Sequence, residues 1–244
     1  MTENRKHKTE KPILHHLSFI INLKGFTLIE LLVVISIIGA LLALLIPGLG
    51  RAKNLAKRTK CASNLHQIDV AMHLYVNSND DFYPCPNDQN YILWPGRKWR
   101  PFIAPYLGGH IDGNNPSVLL CPSDKVAPQI WESTSYSYSL TFYRSPEQIN
   151  STTTDLDIVP PIPQRPFSVA RPDGKIIIGE WLSNHHIIKG GTDPGWWGCA
   201  GRRNYLFVDG QMRFLDANEI RPDKLDHANP NLTKNGIKGI DWPK

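Results

Sequence analysis

The most apolar stretch of the chain runs from Phe26 to Ile46, and Glu30 is the one charged side chain within it. At about 1.5 Å per residue, a helix over this stretch would be about 31 Å long, close to the hydrocarbon thickness of a bilayer. The pattern therefore predicts a membrane-spanning helix. A carboxylate in hydrocarbon costs about 2.5 kcal/mol or more, and such a group usually marks a function. Glu30 is thus the first candidate functional residue.

Beyond Pro47, apolar residues recur at steps of three and four, which predicts one face of an amphipathic helix. The residues of this face are Ala52, Leu55, Ala56, Ala62, Leu65, Ile68, Ala71, Met72 and Tyr75. Turn formers and prolines in "NSNDDFYPCPND" end the pattern. We therefore expect one long helix over residues 26–77. Its part over 26–46 would cross the membrane, and its second half would pack on a globular head.

The head is expected to comprise residues 78–244, in which several strand patterns occur. The stretch "SYSYSLTFY", from Ser135 to Tyr143, alternates small polar with aromatic or apolar side chains, and Ile176 to Ile178 is a short apolar run. In residues 205–215 the turn pair Asp209-Gly210 separates two strand patterns, which predicts a hairpin. The expected fold class is α+β, with a long N-terminal α-helix packed on a small antiparallel β-sheet.

Composition narrows the classes of function. The formal net charge of +5 is small for 244 residues, so nothing suggests a nucleic-acid binder. The head is rich in Pro, Gly, Asn, Asp, Ser and Trp, which suits a loop-rich extracytoplasmic domain better than a large helical enzyme core.

The four cysteines have no two-residue spacing, so the pattern of a zinc ribbon or a redox pair is absent. Outside the cytoplasm disulfides are allowed. Cys85 and Cys121 lie in similar contexts, "CPND" and "CPSD", and we expect these two to pair. If all four cysteines pair, the sequence permits three connectivities.

Three explanations of the apolar stretch compete. A secretory signal peptide should be shorter and should precede a small-residue cleavage site, which "IPGLGRAKNLAKRTK" does not offer. A plain signal anchor explains the hydrophobicity but not Glu30. The third explanation is that "KGFTLIE", residues 24–30, resembles the N-terminal signal of type IV prepilins and of type II secretion pseudopilins.

This resemblance implies that a prepilin peptidase cuts between Gly25 and Phe26 and methylates the amine of Phe26. Residues 1–25 would be a leader whose basic excess holds it in the cytoplasm, and the helix would bend at Pro47. Glu30 of one subunit would meet the amine of its neighbour, because either charge is costly when left unpaired in a low dielectric. Glu30 would then act in assembly rather than in catalysis.

A second resemblance concerns the C-terminal part. The stretch "NYLFVDG" is similar to the end of the H-x9-DG domain of some bacterial pilin-like proteins, and Asp209 and Gly210 match its last two positions. Cys199 stands where that domain has its histidine. Any role of the histidine is therefore either absent here or taken by a thiol.

No set of residues has the spacing of a known catalytic site. Glu180, His185, His186, Asp193 and Cys199 are close in sequence, but we expect loop histidines rather than a Cys/His nucleophile pair or a metal site. Asp216, Asn218 and Asp223 offer oxygen atoms that calcium could use, although a solvated acidic loop is the simpler explanation. We expect no enzyme activity and no cofactor, with calcium as the one candidate ligand.

The sequence therefore predicts a pilin-like structural subunit of a type II secretion pseudopilus or a type IV pilus-like filament. It would be a single-pass protein of the inner membrane with its head outside the cytoplasm. The implied partners are other pilin-like subunits, the prepilin peptidase, an inner-membrane assembly platform and membrane lipid. The type of filament, and whether the subunit is major or minor, remain open. The alternative is a membrane-anchored module whose Trp-rich head binds a polysaccharide or another surface ligand.

Overall fold

A computed structural model describes residues 25–86, 98–108, 117–130, 133–151, 160–188, 191–198, 200–223 and 225–243. The chain divides into two compact units between Gly48 and Leu49. Helix α1, Leu28–Ser78, supplies residues to both units. It has 51 residues, and its bounds differ by one or two residues from those of the helix predicted over 26–77.

In the first unit, every described side chain from Gly25 to Gly48 is exposed. Large apolar side chains such as Leu28, Ile38 and Leu44 are 81%, 50% and 80% exposed. By length and composition, α1 can cross a membrane. A soluble surface rarely presents so much contiguous apolar area, so this part of α1 has the surface of a segment that lipid or other apolar groups cover.

In the second unit, α1 has a buried face that begins at Cys61. The buried apolar residues of this face are Cys61, Leu65, Ile68, Ala71, Met72 and Val76. Ala52, Leu55 and Ala56 are exposed, so the amphipathic face is shorter than the sequence predicted. The face packs into a core that also contains Trp99, Tyr136 and Tyr138.

The sheet has four antiparallel strands in the order β1-β2-β3-β4, which confirms the predicted fold class. The strands are β1 Tyr136–Tyr138, β2 Ile176–Glu180, β3 Arg202–Phe207 and β4 Met212–Asp216. Tyr136 is opposite Glu180, and Arg202 is opposite Asp216. The register between β2 and β3 shifts at Ile176/Ile178.

The strand predicted over Ser135–Tyr143 is shorter than expected. After β1 the chain turns into a 3-10 helix, Leu140–Phe142. The hydroxyl of Ser139 accepts from the backbone N–H of Thr141 and donates to the carbonyl of Pro230 at 2.7 Å. A serine side chain that hydrogen-bonds to nearby backbone groups in this way competes with the hydrogen bonds of a continued strand. This explains why the alternating pattern predicted a strand longer than the observed one.

Short helices connect and cover the sheet. They are α2 Arg100–Ile103, α3 Ala127–Ile130 and α4 Pro146–Asn150, with 3-10 turns at Ala104–Leu107, Pro166–Ser168, Pro172–Gly174, Gly195–Trp197, Ala217–Glu219, Pro230–Leu232 and Gly236–Lys238. The C-terminal part is held by a buried ion pair in which Lys175 Nζ lies 3.2 Å from Asp241 Oδ2. That Asp241 oxygen also accepts from the N–H of Ile176, the first residue of β2.

Candidate functional site

The first candidate site is the start of α1, which carries the residues of the predicted cleavage motif. Gly25 and Phe26 precede the helix, and both are exposed. Thr27 Oγ1 accepts from the N–H of Glu30 at 3.2 Å, and Glu30 Oε2 accepts from the N–H of Thr27 at 2.9 Å. The Thr27 hydroxyl also donates to Glu30 Oε2 at 2.9 Å. This is a capping box, in which two side chains satisfy donors at the helix N-terminus.

The capping box gives Glu30 a local role that the sequence analysis missed, although the spacing "TLIE" contains the signal. The predicted role in assembly stays a prediction, because it requires a second subunit. Pro47 lies inside α1, where it has no N–H for the helix ladder. The bend expected at Pro47 likewise stays a prediction.

The second candidate site is the turn at Asp209 and Gly210. It joins β3 to β4, and the two Asp209 carboxylate oxygens accept from the N–H and the side-chain amide of Gln211 at 3.0 and 2.7 Å. Gly210 has φ +82°, a left-handed conformation that favours glycine. The turn lies against α1, since a Cβ added to Gly210 would be 3.2 Å from Asp69 Oδ2. The Asp-Gly pair therefore sets both the hairpin turn and its close approach to the helix.

Asp69 lies in an unusual environment for a carboxylate. Its side chain is buried against the head, and burial raises its pKa above the ordinary value, with the charge of Asp209 adding to the effect. His73 and His66 act in the opposite direction, and His73 Nε2 lies 3.6 Å from Asp69 Oδ1. Cys199, the position that corresponds to the histidine of the resembled domain, lies outside the described residues.

The predicted pairing of Cys85 with Cys121 is wrong, because Cys121 forms a disulfide with Cys61. The Cα atoms of these two residues are 5.3 Å apart, within the usual range for a bridge. The bond joins the buried face of α1 to the segment before α3. Cys85 is half-buried and outside any disulfide, and burial raises the pKa of its thiol to about 11. A thiol with so high a pKa is an inert packing residue rather than a nucleophile.

The same disulfide lies beside Glu180 and His185, two of the residues that the sequence analysis considered and set aside as a metal or nucleophile site. His185 Nε2 is 3.3 Å from Cys121 Sγ and 3.0 Å from Glu180 Oε1. The other Glu180 oxygen accepts from the N–H and the side-chain amide of Asn204. Cys61, Cys121 and Glu180 are fully buried, and only 2% of the His185 side chain is exposed. We call these four residues the disulfide cluster.

The other residues near this cluster in sequence have separate roles. Asp193 forms an ion pair with Arg203 at 2.6 Å and accepts from the N–H of Ser183, so it stabilises the loop that follows β2. His186 is exposed. Glu180 and His185 are thus close in both sequence and structure, but their sulfur neighbours come from residues 61 and 121.

The calcium candidates make local hydrogen bonds in the head. Asp216 caps the Ala217–Glu219 turn, accepting from the N–H of Asn218 at 3.2 Å. Asp223 Oδ1 accepts from the N–H groups of Leu225 and His227. Within the described part of the chain, the group of metal-ligating side chains that come together is the disulfide cluster, and neither aspartate belongs to it. Calcium at these residues stays a prediction.

Three of the described tryptophans of the head serve as packing residues. Trp99 and Trp196 are fully buried, and Trp181 is 7% exposed. The side-chain N–H of Trp196 donates to the carbonyl of Glu180 at 2.9 Å. These three rings are too buried to stack on a sugar, whereas Trp197 is 37% exposed, and Trp94 and Trp131 lie outside the described residues. The alternative of a carbohydrate-binding head therefore stays a prediction.

A long N-terminal helix with an exposed apolar first half, followed by a small antiparallel sheet, defines a pilin-like protein. Comparison with known families narrows this class. Residues 22–46 match the family described as "Prokaryotic N-terminal methylation motif". The chain is therefore prepilin-like or pseudopilin-like, as its sequence indicated.

Curated relatives agree with this assignment. The chain is similar to the "Type II secretion system core protein G" of Escherichia coli, with 39% identity over 83 residues, which cover 34% of this chain and 57% of that protein. The protein of the same name from Klebsiella pneumoniae is 39% identical over 89 residues, covering 36% and 63%. The "Type IV wide pilus major component PilA4" of Thermus thermophilus is 43% identical over 80 residues, covering 33% and 59%. The matches thus span less than two thirds of each of these relatives. No solved structure matches the chain.

Proposed function

We propose that this protein is a structural subunit of a type II secretion pseudopilus or a type IV pilus-like filament, without enzymatic activity. The observation that carries the proposal is the exposed apolar surface of residues 26–46, which begins at the predicted cleavage site between Gly25 and Phe26. Burying one large apolar side chain contributes about 1.5–3 kcal/mol, so this segment strongly favours a bilayer or a bundle of equivalent helices. The similarity to a secretion core protein and a pilus component supports the same function.

The proposed route has three steps. The protein is inserted in the inner membrane with residues 1–25 in the cytoplasm and the head, residues 78–244, outside. A prepilin peptidase then cuts between Gly25 and Phe26 and methylates the amine of Phe26. The mature subunit finally joins other pilin-like subunits on an inner-membrane assembly platform, and Glu30 pairs with the amine of a neighbour.

The first experiment tests the processing step. The mass and the N-terminal sequence of the protein are measured from membranes of cells with and without a prepilin peptidase. We expect a chain that starts at methylated Phe26 only where the peptidase is present. An intact N-terminus in both cells would contradict the route and leave a plain signal anchor.

The second experiment separates the two roles of Glu30. Glutamine at the third helical position can complete a capping box, so Glu30→Gln keeps the cap and removes the charge. Thr27→Ala removes the hydroxyl of the cap and keeps the charge. If the charge acts in assembly, Glu30→Gln should abolish filament cross-links while Thr27→Ala retains them. The reverse result would assign Glu30 to helix capping alone. Processing at Phe26 in both variants is the control for correct insertion.

A further inference from the structure

The disulfide cluster carries an inference that is independent of filament assembly. One ligand atom from each of Cys61, Cys121, His185 and Glu180 lies within 4.8 Å of every other. These atoms are two sulfurs, an imidazole nitrogen and a carboxylate oxygen, the donor types that Zn²⁺ prefers. The four residues come from α1, the segment before α3, the loop after β2, and the end of β2 itself. Only the tertiary fold brings them together.

The distances are close to those of a tetrahedral metal site, apart from the two sulfurs that are bonded to each other. With Zn–S of about 2.3 Å and Zn–N or Zn–O of about 2.0–2.2 Å, neighbouring ligand atoms of a tetrahedron are about 3.3–3.8 Å apart. The distance from Cys121 Sγ to His185 Nε2 is 3.3 Å, at the lower end of this range, and that from His185 Nε2 to Glu180 Oε1 is 3.0 Å, about 0.3 Å below it. A tetrahedral site therefore requires that the disulfide is broken, that the two sulfurs separate and that the imidazole and the carboxylate move slightly apart.

The surroundings hold the ligands in place. Asn204 donates twice to Glu180 Oε2, at 2.8 and 3.2 Å, which leaves Oε1 turned toward His185. The His185 and Phe214 rings meet in a T-shaped contact, with ring centroids 6.4 Å apart. Such contacts orient metal ligands and raise affinity. A cavity of about 230 Å³ reaches His185 from the surface, and it is lined by Asn54, Ser123, Asn184, His185, His186 and Ile187. Of the four cluster residues, His185 is the one that lines this cavity.

We propose that reduction of the Cys61–Cys121 disulfide creates a Zn²⁺ site formed by Cys61 Sγ, Cys121 Sγ, His185 Nε2 and Glu180 Oε1. A dithiol reductant supplies two electrons and two protons, so that the S–S bond breaks, both cysteines become thiols and the reductant becomes a disulfide. Zn²⁺ then displaces the two thiol protons. All four positions are filled by protein atoms, so the ion is structural rather than catalytic. The cluster would be closed by a covalent bond under oxidising conditions and by zinc under reducing ones.

The test uses the full chain in detergent with Cys85→Ser and Cys199→Ser, so that Cys61 and Cys121 are its only thiols. The disulfide is reduced with a phosphine, which contributes no competing thiol, and bound Zn²⁺ is measured by equilibrium dialysis and metal analysis. We expect one Zn²⁺ per reduced chain and none per oxidised chain. Co²⁺ in place of Zn²⁺ should give thiolate-to-cobalt absorption and the intense visible bands of a tetrahedral site.

Two ligand variants and two matched controls decide the assignment. His185→Ala and Glu180→Gln should each weaken binding at least about tenfold. His66→Ala and Glu147→Gln, at exposed positions outside both the cluster and its cavity, should leave it unchanged. Binding that survives both ligand substitutions would overturn the proposal, as would the absence of binding by a reduced chain that keeps its near-ultraviolet circular dichroism. If the reduced chain loses that signal, one equivalent of Zn²⁺ must restore it, because metal binding then couples to folding. Failure to restore it also overturns the proposal.

Discussion

The Cys61–Cys121 disulfide should be the largest single covalent contribution to the stability of the head. It joins residues 60 positions apart. In the chain-entropy description, closing a loop of that length in the unfolded state stabilises the fold by about 4 kcal/mol. The double variant Cys61→Ala/Cys121→Ala should therefore lower the free energy of unfolding by about 4 kcal/mol. With a denaturant slope of about 2 kcal/mol/M, the urea midpoint should fall by about 2 M.

The assay is urea unfolding of the full chain in detergent, followed by tryptophan fluorescence, since Trp99 and Trp196 are buried and will report loss of the head's core. The matched control is Cys85→Ala. This variant removes the cysteine that the sequence predicted as the partner of Cys121 but that is outside the disulfide. Its midpoint should change far less. Non-reducing peptide mapping should recover the Cys61 peptide linked to that of Cys121. A cross-link from Cys85, or a loss below about 1 kcal/mol for the double variant, would refute the reasoning.

Three further predictions concern polar groups of the head, each measured by the same unfolding assay. Asp241→Asn should cost about 3–5 kcal/mol, because it removes the charged partner of the fully buried Lys175 ammonium. Arg171→Ala, at an exposed pair, should cost far less, and equal losses would contradict this. Gly210→Ala should lower the free energy of unfolding by about 1–2 kcal/mol, because Gly210 has φ +82° and an added Cβ would approach Asp69. An unchanged urea midpoint would contradict this prediction. Burial raises the pKa of Asp69 above its ordinary value of 3.8. Between these two pKa values the native state therefore binds a proton that the unfolded chain has lost. The free energy of unfolding should fall as the pH rises from 3.8 through the native pKa. Asp69→Asn should remove this fall, and parallel pH profiles for the two proteins would contradict the assignment.

Features that depend on neighbouring residues could be predicted from the sequence. The run from Phe26 to Ile46 indicates a spanning helix by length and apolarity alone, and Asp209-Gly210 specifies a turn through backbone conformation. Tertiary pairings could not be predicted in this way. The similarity of "CPND" to "CPSD" says nothing about distance, and it favoured the wrong disulfide.

One signal for the correct disulfide was available. Cys61 lies four residues before Leu65 and seven before Ile68, on the face of α1 that is buried. Free and paired cysteines are among the most buried residue types, so Cys61 belonged to the apolar face from the start. Its partner, however, follows from how the segment containing Cys121 crosses that face. Lys175 and Asp241 are a similar case, because charged residues so far apart in sequence show no pattern before folding.

A carboxylate at position 30 has two physical explanations, helix capping and pairing with a cation, and the free energies that they involve differ. The capping box with Thr27 explains the spacing of the two residues, but glutamine would complete the same box at a lower cost in hydrocarbon. A negative charge at a helix N-terminus gains about 0.3–1 kcal/mol, whereas a carboxylate at the centre of a bilayer costs about 2.5 kcal/mol or more. Glu30 would lie only about 6 Å inside the start of the predicted span, where the cost is lower than at the centre, so the helix dipole offsets a larger share of it. Both hydrogen bonds from Thr27 end on Oε2, so Oε1 can accept from a further donor. A cation supplied by another chain, such as the amine of a processed Phe26, would account for the remaining difference, which the cap alone does not.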